Sequence, residues 1–187
     1  FHDLATPEQS LGVSSNAIDL YQGSNILLFD DLTDNTPSEL TIESWFFIED
    51  FNYQNVSNYY HTDPCMATLY GGSHDGALEI SFCRNNSTAV VSYQVDGSWH
   101  KIYGNKTVGM KEWHHVAVTY KQSDKIELYL DGQIIGTNEI DGSLNTGSYA
   151  SAIGGTSQQG QSIGASRHYS IFPGKIDEFR ISEVVRD

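Results

Sequence analysis

Two alternating runs joined by an Asp-Gly pair constrain this chain of 187 residues more than any other feature in it. The first reads Trp113-His114-His115-Val116-Ala117-Val118-Thr119-Tyr120. After a short spacer comes Ile126-Glu127-Leu128-Tyr129-Leu130-Asp131-Gly132-Gln133-Ile134-Ile135-Gly136. A period of two puts Ile126, Leu128 and Leu130 on one face of a strand and Glu127 and Tyr129 on the other. Asp131-Gly132 is the residue pair that a two-residue hairpin turn favours. These runs therefore predict half-buried antiparallel strands. A third run, Gly174-Lys175-Ile176-Asp177-Glu178-Phe179-Arg180-Ile181-Ser182, brings the chain near its end.

Helical periodicity is nearly absent elsewhere. Segments 17–20, 25–29, 40–48, 65–70, 77–83, 88–95, 98–103, 113–121, 125–131, 133–138, 151–154, 162–165 and 175–182 all read as strands. They are rich in Val, Ile, Tyr, Phe and Trp and bounded by Gly, Asn, Asp or Ser. Within 41–48, Ile42, Ser44, Phe46 and Ile48 share a face, with Glu43, Trp45 and Phe47 opposite. That segment is apolar on both sides near its end, which predicts a central, covered strand. Many short strands without a repeat period predict a two-sheet antiparallel β-sandwich rather than a propeller.

The Trp-His-His-Val-Ala strand, the Leu-Tyr-Leu-Asp-Gly hairpin and the closing Ile-Asp-Glu strand resemble the laminin-G-like family of concanavalin A-like lectins and glucanases. The resemblance covers about residues 17–187 and implies an all-β jelly roll. One such domain accounts for the whole of residues 1–187. The chain reads as a module of a larger extracellular protein.

Ten Lys and Arg against 24 Asp and Glu give a net charge of −14. Such a surface repels phosphate backbones and anionic lipid, which argues against nucleic-acid binding. No apolar run is long enough to cross a bilayer as a helix, so membrane insertion is not expected.

Cys65 and Cys83 flank the turn cluster Tyr70-Gly71-Gly72-Ser73-His74-Asp75-Gly76-Ala77. Strands paired about a centre near position 74 bring the two cysteines opposite one another, within reach of a disulfide. Two free core thiols are the other reading. A disulfide would place the protein outside the cell or on its surface. The Asn-x-Ser/Thr sequons at Asn55, Asn85, Asn86 and Asn105 agree with export.

Glycanases of the resembled superfamily carry a Glu-x-Asp-x-x-Glu strand whose carboxylates share one face. The nearest match, Glu139-Ile140-Asp141-Gly142-Ser143-Leu144, lacks the final acid. No zinc motif on a helix and no Gly-x-Ser-x-Gly elbow is present. The chain is therefore expected not to be an enzyme, with a glycan hydrolase or lyase as the weakest alternative.

Asp177 shares a period-two face with Phe179 and Ile181, and a carboxylate turned inward must be hydrogen-bonded or bound to a cation. Relatives with this closing strand often hold Ca2+ beside its Asp. The resemblance thus implies calcium at Asp177 alone; the partner choice stays open, with Asp19 in Ala17-Ile18-Asp19-Leu20 preferred and Asp30 or Asp31 in reserve. Backbone N–H groups bonded to Asp177 would satisfy it equally well.

Sugar rings are held on aromatic faces while amides, carboxylates and cations reach the hydroxyls. The segment 51–64 offers Tyr53, Asn58, Tyr59, Tyr60, His61 and Asp63; a later loop offers Arg167 and His168; Trp99 lies near a hairpin tip. The expected function is lectin-like binding of a glycan or polysaccharide, within an adhesin or polysaccharide-active protein. The alternative is a spacer or a module that binds a cell-surface protein.

Overall fold

The computed structural model describes residues 8–13, 16–20, 27–29, 37–51, 65–71, 78–83, 85–145, 151–155 and 172–186. Thirteen strands and no helix occur among them. They are β1 (Glu8–Leu11), β2 (Asn16–Asp19), β3 (Leu27–Phe29), β4 (Glu39–Ile48), β5 (Cys65–Gly71), β6 (Leu78–Cys83) and β7 (Thr88–Val95). There follow β8 (Ser98–Thr107), β9 (Trp113–Lys121), β10 (Lys125–Leu130), β11 (Gln133–Glu139), β12 (Ser151–Ile153) and β13 (Gly174–Ser182). A seven-stranded sheet runs β1-β2-β13-β4-β9-β10-β11, and a six-stranded sheet runs β3-β12-β5-β6-β7-β8. Every pairing between named strands is antiparallel. The chain is a two-sheet antiparallel β-sandwich, as its alternation implies.

The inner faces carry the core. Phe46 of β4, Phe82 of β6 and Phe172 meet between the sheets, with Phe46–Phe82 ring centroids 4.6 Å apart. Ile42, Ile48, Ile80, Val91, Val116, Val118, Ile126 and Leu128 surround them, all buried. Two buried tyrosines satisfy their hydroxyls: Tyr93 accepts from Asn138 Nδ2 at 2.9 Å and Tyr120 from Leu144 N at 3.1 Å. β4 does lie centrally, between β13 and β9. β8 runs to Thr107, beyond the segment 98–103, because a bulge opposite Thr88–Val90 absorbs extra residues. β1, a polar Glu-Gln-Ser-Leu stretch, carried no strand signal. The expected strand at 162–165 lies outside the described residues.

The Asp-Gly turn forms as expected, with Asp131 at φ 49° and Gly132 at φ 73°. Asp131 also fastens the hairpin to its neighbour. Its N–H donates to His115 O, while its carboxylate accepts from His115 N and pairs with His114 Nδ1, each at 2.8 Å. The two most telling sequence phrases thus bond to each other. Asp96 and Gly97 repeat the turn between β7 and β8.

The closing strand departs from simple alternation. Asp177 stands opposite Trp45 and Arg180 opposite Glu43, so one extra residue is inserted in β13, and Glu178 adopts φ 48°. This bulge swaps the faces. Ile176 points inward with Phe46 before it, and Ile181 points inward with Ile42 after it. Asp177 therefore shares the outer face with Trp45. The expectation that it sits with Phe179 and Ile181 is corrected.

Gly174 begins β13 where backbones approach closely. A Cβ there would lie 1.8 Å from Phe47 O and 3.1 Å from Ile48 Cα. Backbone cannot yield as a side-chain tip can. Gly174→Ala should destabilise the fold by about 1–3 kcal/mol in urea unfolding; an unchanged midpoint would contradict the close approach.

Candidate functional site

Two outward sheet faces differ in chemistry. On the seven-stranded sheet the outward side chains of β4, β9, β10 and β13 pair and stack with one another. Trp45 packs on His115 with centroids 5.3 Å apart, Phe47 packs on Trp113 at 5.6 Å, and Lys175 Nζ lies 5.2 Å from the Phe47 ring centroid. Glu43 sits within 3.0 Å of Arg186, 3.5 Å of Arg180 and 3.6 Å of His115. Glu127 accepts from Lys125 Nζ and Tyr129 Oη, both at 2.9 Å. Burial raises the Tyr129 hydroxyl pKa, and its bond to the Glu127 carboxylate raises it further.

On the six-stranded sheet the register builds a different surface. The outward row of β7 is Thr88, Val90, Ser92 and Gln94, because Ala89, Val91, Tyr93 and Val95 enter the core. All four outward residues are nonetheless buried. Ser81 and Thr68 continue this floor across β6 and β5, and Thr68 Oγ1 donates to Glu79 Oε1 at 2.9 Å. Asn145 Nδ2 fixes Gln94 by donating to its Oε1 at 2.9 Å. Small hydroxyls and amides thus form the centre of the face, beside a separate apolar pair, Val90 and Cys83.

Along the edge of this floor runs β8. Gln94 pairs with Trp99, Ser92 with Lys101 and Val90 with Tyr103, so all three β8 side chains share the outward face. Trp99 is 51% exposed, Tyr103 56%, and Lys101 is exposed between them. The four-residue step separates the two aromatic positions by about 13 Å along the strand. Aromatic, cation, aromatic, beside a polar floor, is the chemistry that sugar recognition uses. Trp99 was expected from the sequence. Lys101 and Tyr103 were missed, although period two from Trp99 reaches both.

Of the other expected ligand residues, Tyr53, Asn58, Tyr59, Tyr60, His61, Asp63, Arg167 and His168 lie outside the described residues, as do Asp30 and Asp31. Cys65 stands opposite Cys83 in the β5–β6 register, as the spacing predicted. Asp177 Oδ2 accepts from Val13 N at 2.8 Å and Oδ1 from Glu178 N at 2.9 Å. Asp19 faces Lys175 Nζ at 4.0 Å. It is also the diagonal outer-face neighbour of Asp177 across β2–β13. Among the described residues no three His, Cys, Asp or Glu converge as a metal cluster. Leu144 is buried and bridges to Val95, so no carboxylate occupies the third position of the failed glycanase pattern.

His115 also titrates differently because of its place on the seven-stranded sheet. Burial lowers its pKa below the usual histidine value, against the opposing pull of Glu43, Asp131 and Glu178. The neutral ring is favoured in the folded state, so its contribution is complete above about pH 6.5 and is lost as pH falls. Urea midpoints should therefore drop between about pH 7.5 and 5, and drop less in His115→Phe. Equal drops in the two proteins would remove His115 from that account.

A family model described as Laminin_G_3, concanavalin A-like lectin/glucanases superfamily, matches residues 22–187. No curated protein sequence matches the chain. Solved structures with the same fold include the binding domain of Paraclostridial Mosquitocidal Protein 1, at TM-score 0.67 and 15% identity, covering 98% of this chain and 44% of that one. Domain 4 of AbnA, a GH43 extracellular arabinanase from Geobacillus stearothermophilus in complex with arabinotriose, aligns at TM-score 0.64 and 18% identity, covering 95% and 75%. The binding domain of Botulinum Neurotoxin DC in complex with SialylT aligns at 0.57 and 14%, covering 96% and 38%. The chain thus spans less than half the length of two of these structures.

Proposed function

This chain belongs to the concanavalin A-like lectin/glucanase superfamily, in its laminin-G-like branch, and on that premise we propose that it is a non-catalytic carbohydrate-binding module of an extracellular or cell-surface protein. The observation that carries the reading is the Trp99–Lys101–Tyr103 ridge beside the polar floor of Thr68, Ser81, Ser92 and Gln94. The two rings offer faces to the C–H surfaces of a sugar. Lys101 donates to hydroxyl or carboxylate oxygens between them. The arabinotriose and SialylT in two structures of the same fold support a glycan as the partner. The incomplete Glu-x-Asp-x-x-Glu strand supports binding without turnover.

A glycan array identifies the ligand, and titration calorimetry then measures it. Trp99→Ala and Tyr103→Ala should each weaken binding about tenfold or more, at unchanged melting temperature, because both side chains are exposed. Full affinity in both variants would move the site elsewhere. Binding to no glycan at all would leave the spacer or protein-interaction role.

Two further features belong to the same proposal. One is calcium on the outer face, where Asp177 and Asp19 are diagonal neighbours beside the β1–β2 turn. Carboxylates there keep acceptor capacity beyond the bonds they already make, and calcium accepts backbone carbonyls and waters as remaining ligands. The other is a Cys65–Cys83 disulfide, supported by their opposed register. Melting should rise with calcium and fall with chelator, and reduction should cost about 3 kcal/mol for a loop of this length. Indifference to calcium rejects the first feature, and indifference to reductant rejects the second.

A further inference from the structure

His114 carries an anomaly unrelated to the ridge. Its Nδ1 faces Asp131 Oδ2 at 2.8 Å. A carboxylate only accepts there, so Nδ1 carries a hydrogen, and in the neutral ring Nε2 presents a lone pair. Nε2 is buried and has no hydrogen-bond partner among the described residues. Glu112 Oε1, another acceptor, lies 3.4 Å away. A lone pair turned toward a carboxylate is unfavourable unless a proton or a metal ion lies between them, and the zinc titration below separates the two.

Gly109 makes the arrangement possible. A Cβ at that position would lie 1.8 Å from Glu112 Oε1 and 3.2 Å from His114 Nε2. The missing side chain therefore leaves the space through which the carboxylate folds back to the imidazole. Two ligand atoms, each about 2.1 Å from a tetrahedral zinc ion, stand about 3.4 Å from one another. The observed separation matches that spacing. A histidine whose other nitrogen is held by a carboxylate is also the usual outer-shell arrangement of a metal-bound imidazole.

We propose that His114 Nε2 and Glu112 Oε1 form a two-residue site for a divalent transition ion of the zinc class, with Asp131 as the positioning residue and Gly109 as the space that admits Glu112. No third His, Cys, Asp or Glu completes a cluster among the described residues, so water fills the remaining positions. The site joins the β8–β9 connection to the Asp131 hairpin. It is separate from Asp177, which suits hard oxygen-seeking cations.

Zinc chloride titrated into the whole chain tests the proposal, with calorimetry and long-range 1H–15N spectra of the histidine rings as readouts. Zinc should bind and move the His114 Nε2 resonance in the wild type. Glu112→Gln, an exposed change that should leave the fold intact, should weaken that binding about tenfold or more. Gly109→Ala should weaken it as well, by displacing Glu112. Equal zinc affinity in wild type and Glu112→Gln, no zinc binding by the wild type, or an unmoved His114 Nε2 resonance would each overturn the site.

Discussion

Phe46 and Phe82 meet ring against ring between the sheets, 4.6 Å apart, and Phe172 packs against both. That contact fixes which face of each strand is inside. Side chains alternate strictly in a paired strand, so an inward Phe46 forces Trp45 and Phe47 outward, and an inward Phe82 forces Ser81 and Cys83 outward. Slipping β4 by one residue would turn Glu43, Trp45 and Phe47 into the core, and slipping β6 would turn Glu79 and Ser81 inward. The surface chemistry of both sheets is therefore a consequence of the buried rings.

The consequence differs on the two sheets. Outward groups of the seven-stranded sheet include Glu43, Arg180, Arg186, His115 and Lys175, long side chains that satisfy one another in pairs and stacks. Such a surface has few donors left to offer a ligand. The six-stranded sheet instead sets short hydroxyls and amides at its centre and lets Trp99 and Tyr103 stand exposed on its edge strand. Rigid hairpins hold that edge. The Asp96–Gly97 turn joins β7 to β8, and the tip is further tied through Asn145, which bonds both Gln94 and Gly97. A ligand meeting this ridge finds its backbone already held in a paired strand, which limits the ordering cost of binding.

Much of this was legible in the chain because period two and turn chemistry are local signals. The β9–β10–β11 hairpins, the central place of β4 and the facing positions of Cys65 and Cys83 all follow from spacing alone. The bulge in β13 was not legible. Its positive-φ residue is Glu178, and no glycine or asparagine marks the spot, so Asp177 was read onto the wrong face. β1 was missed because four residues without β-branched or aromatic side chains carry no strand propensity of their own. Lys101 and Tyr103 were legible in principle. The pattern that found Trp99 extends to them, but their meaning depends on the buried polar neighbours that only the sheet register supplies.

The central claim is that the outward face of the six-stranded sheet, not that of its partner, meets the glycan. Backbone amide shifts, followed by NMR while a bound oligosaccharide is titrated in, test this most directly. The account predicts that the largest changes fall on Ser92, Gln94, Trp99, Lys101 and Tyr103. Largest changes on Trp45, His115, Lys175 and Asp177, with β7 and β8 silent, would contradict it.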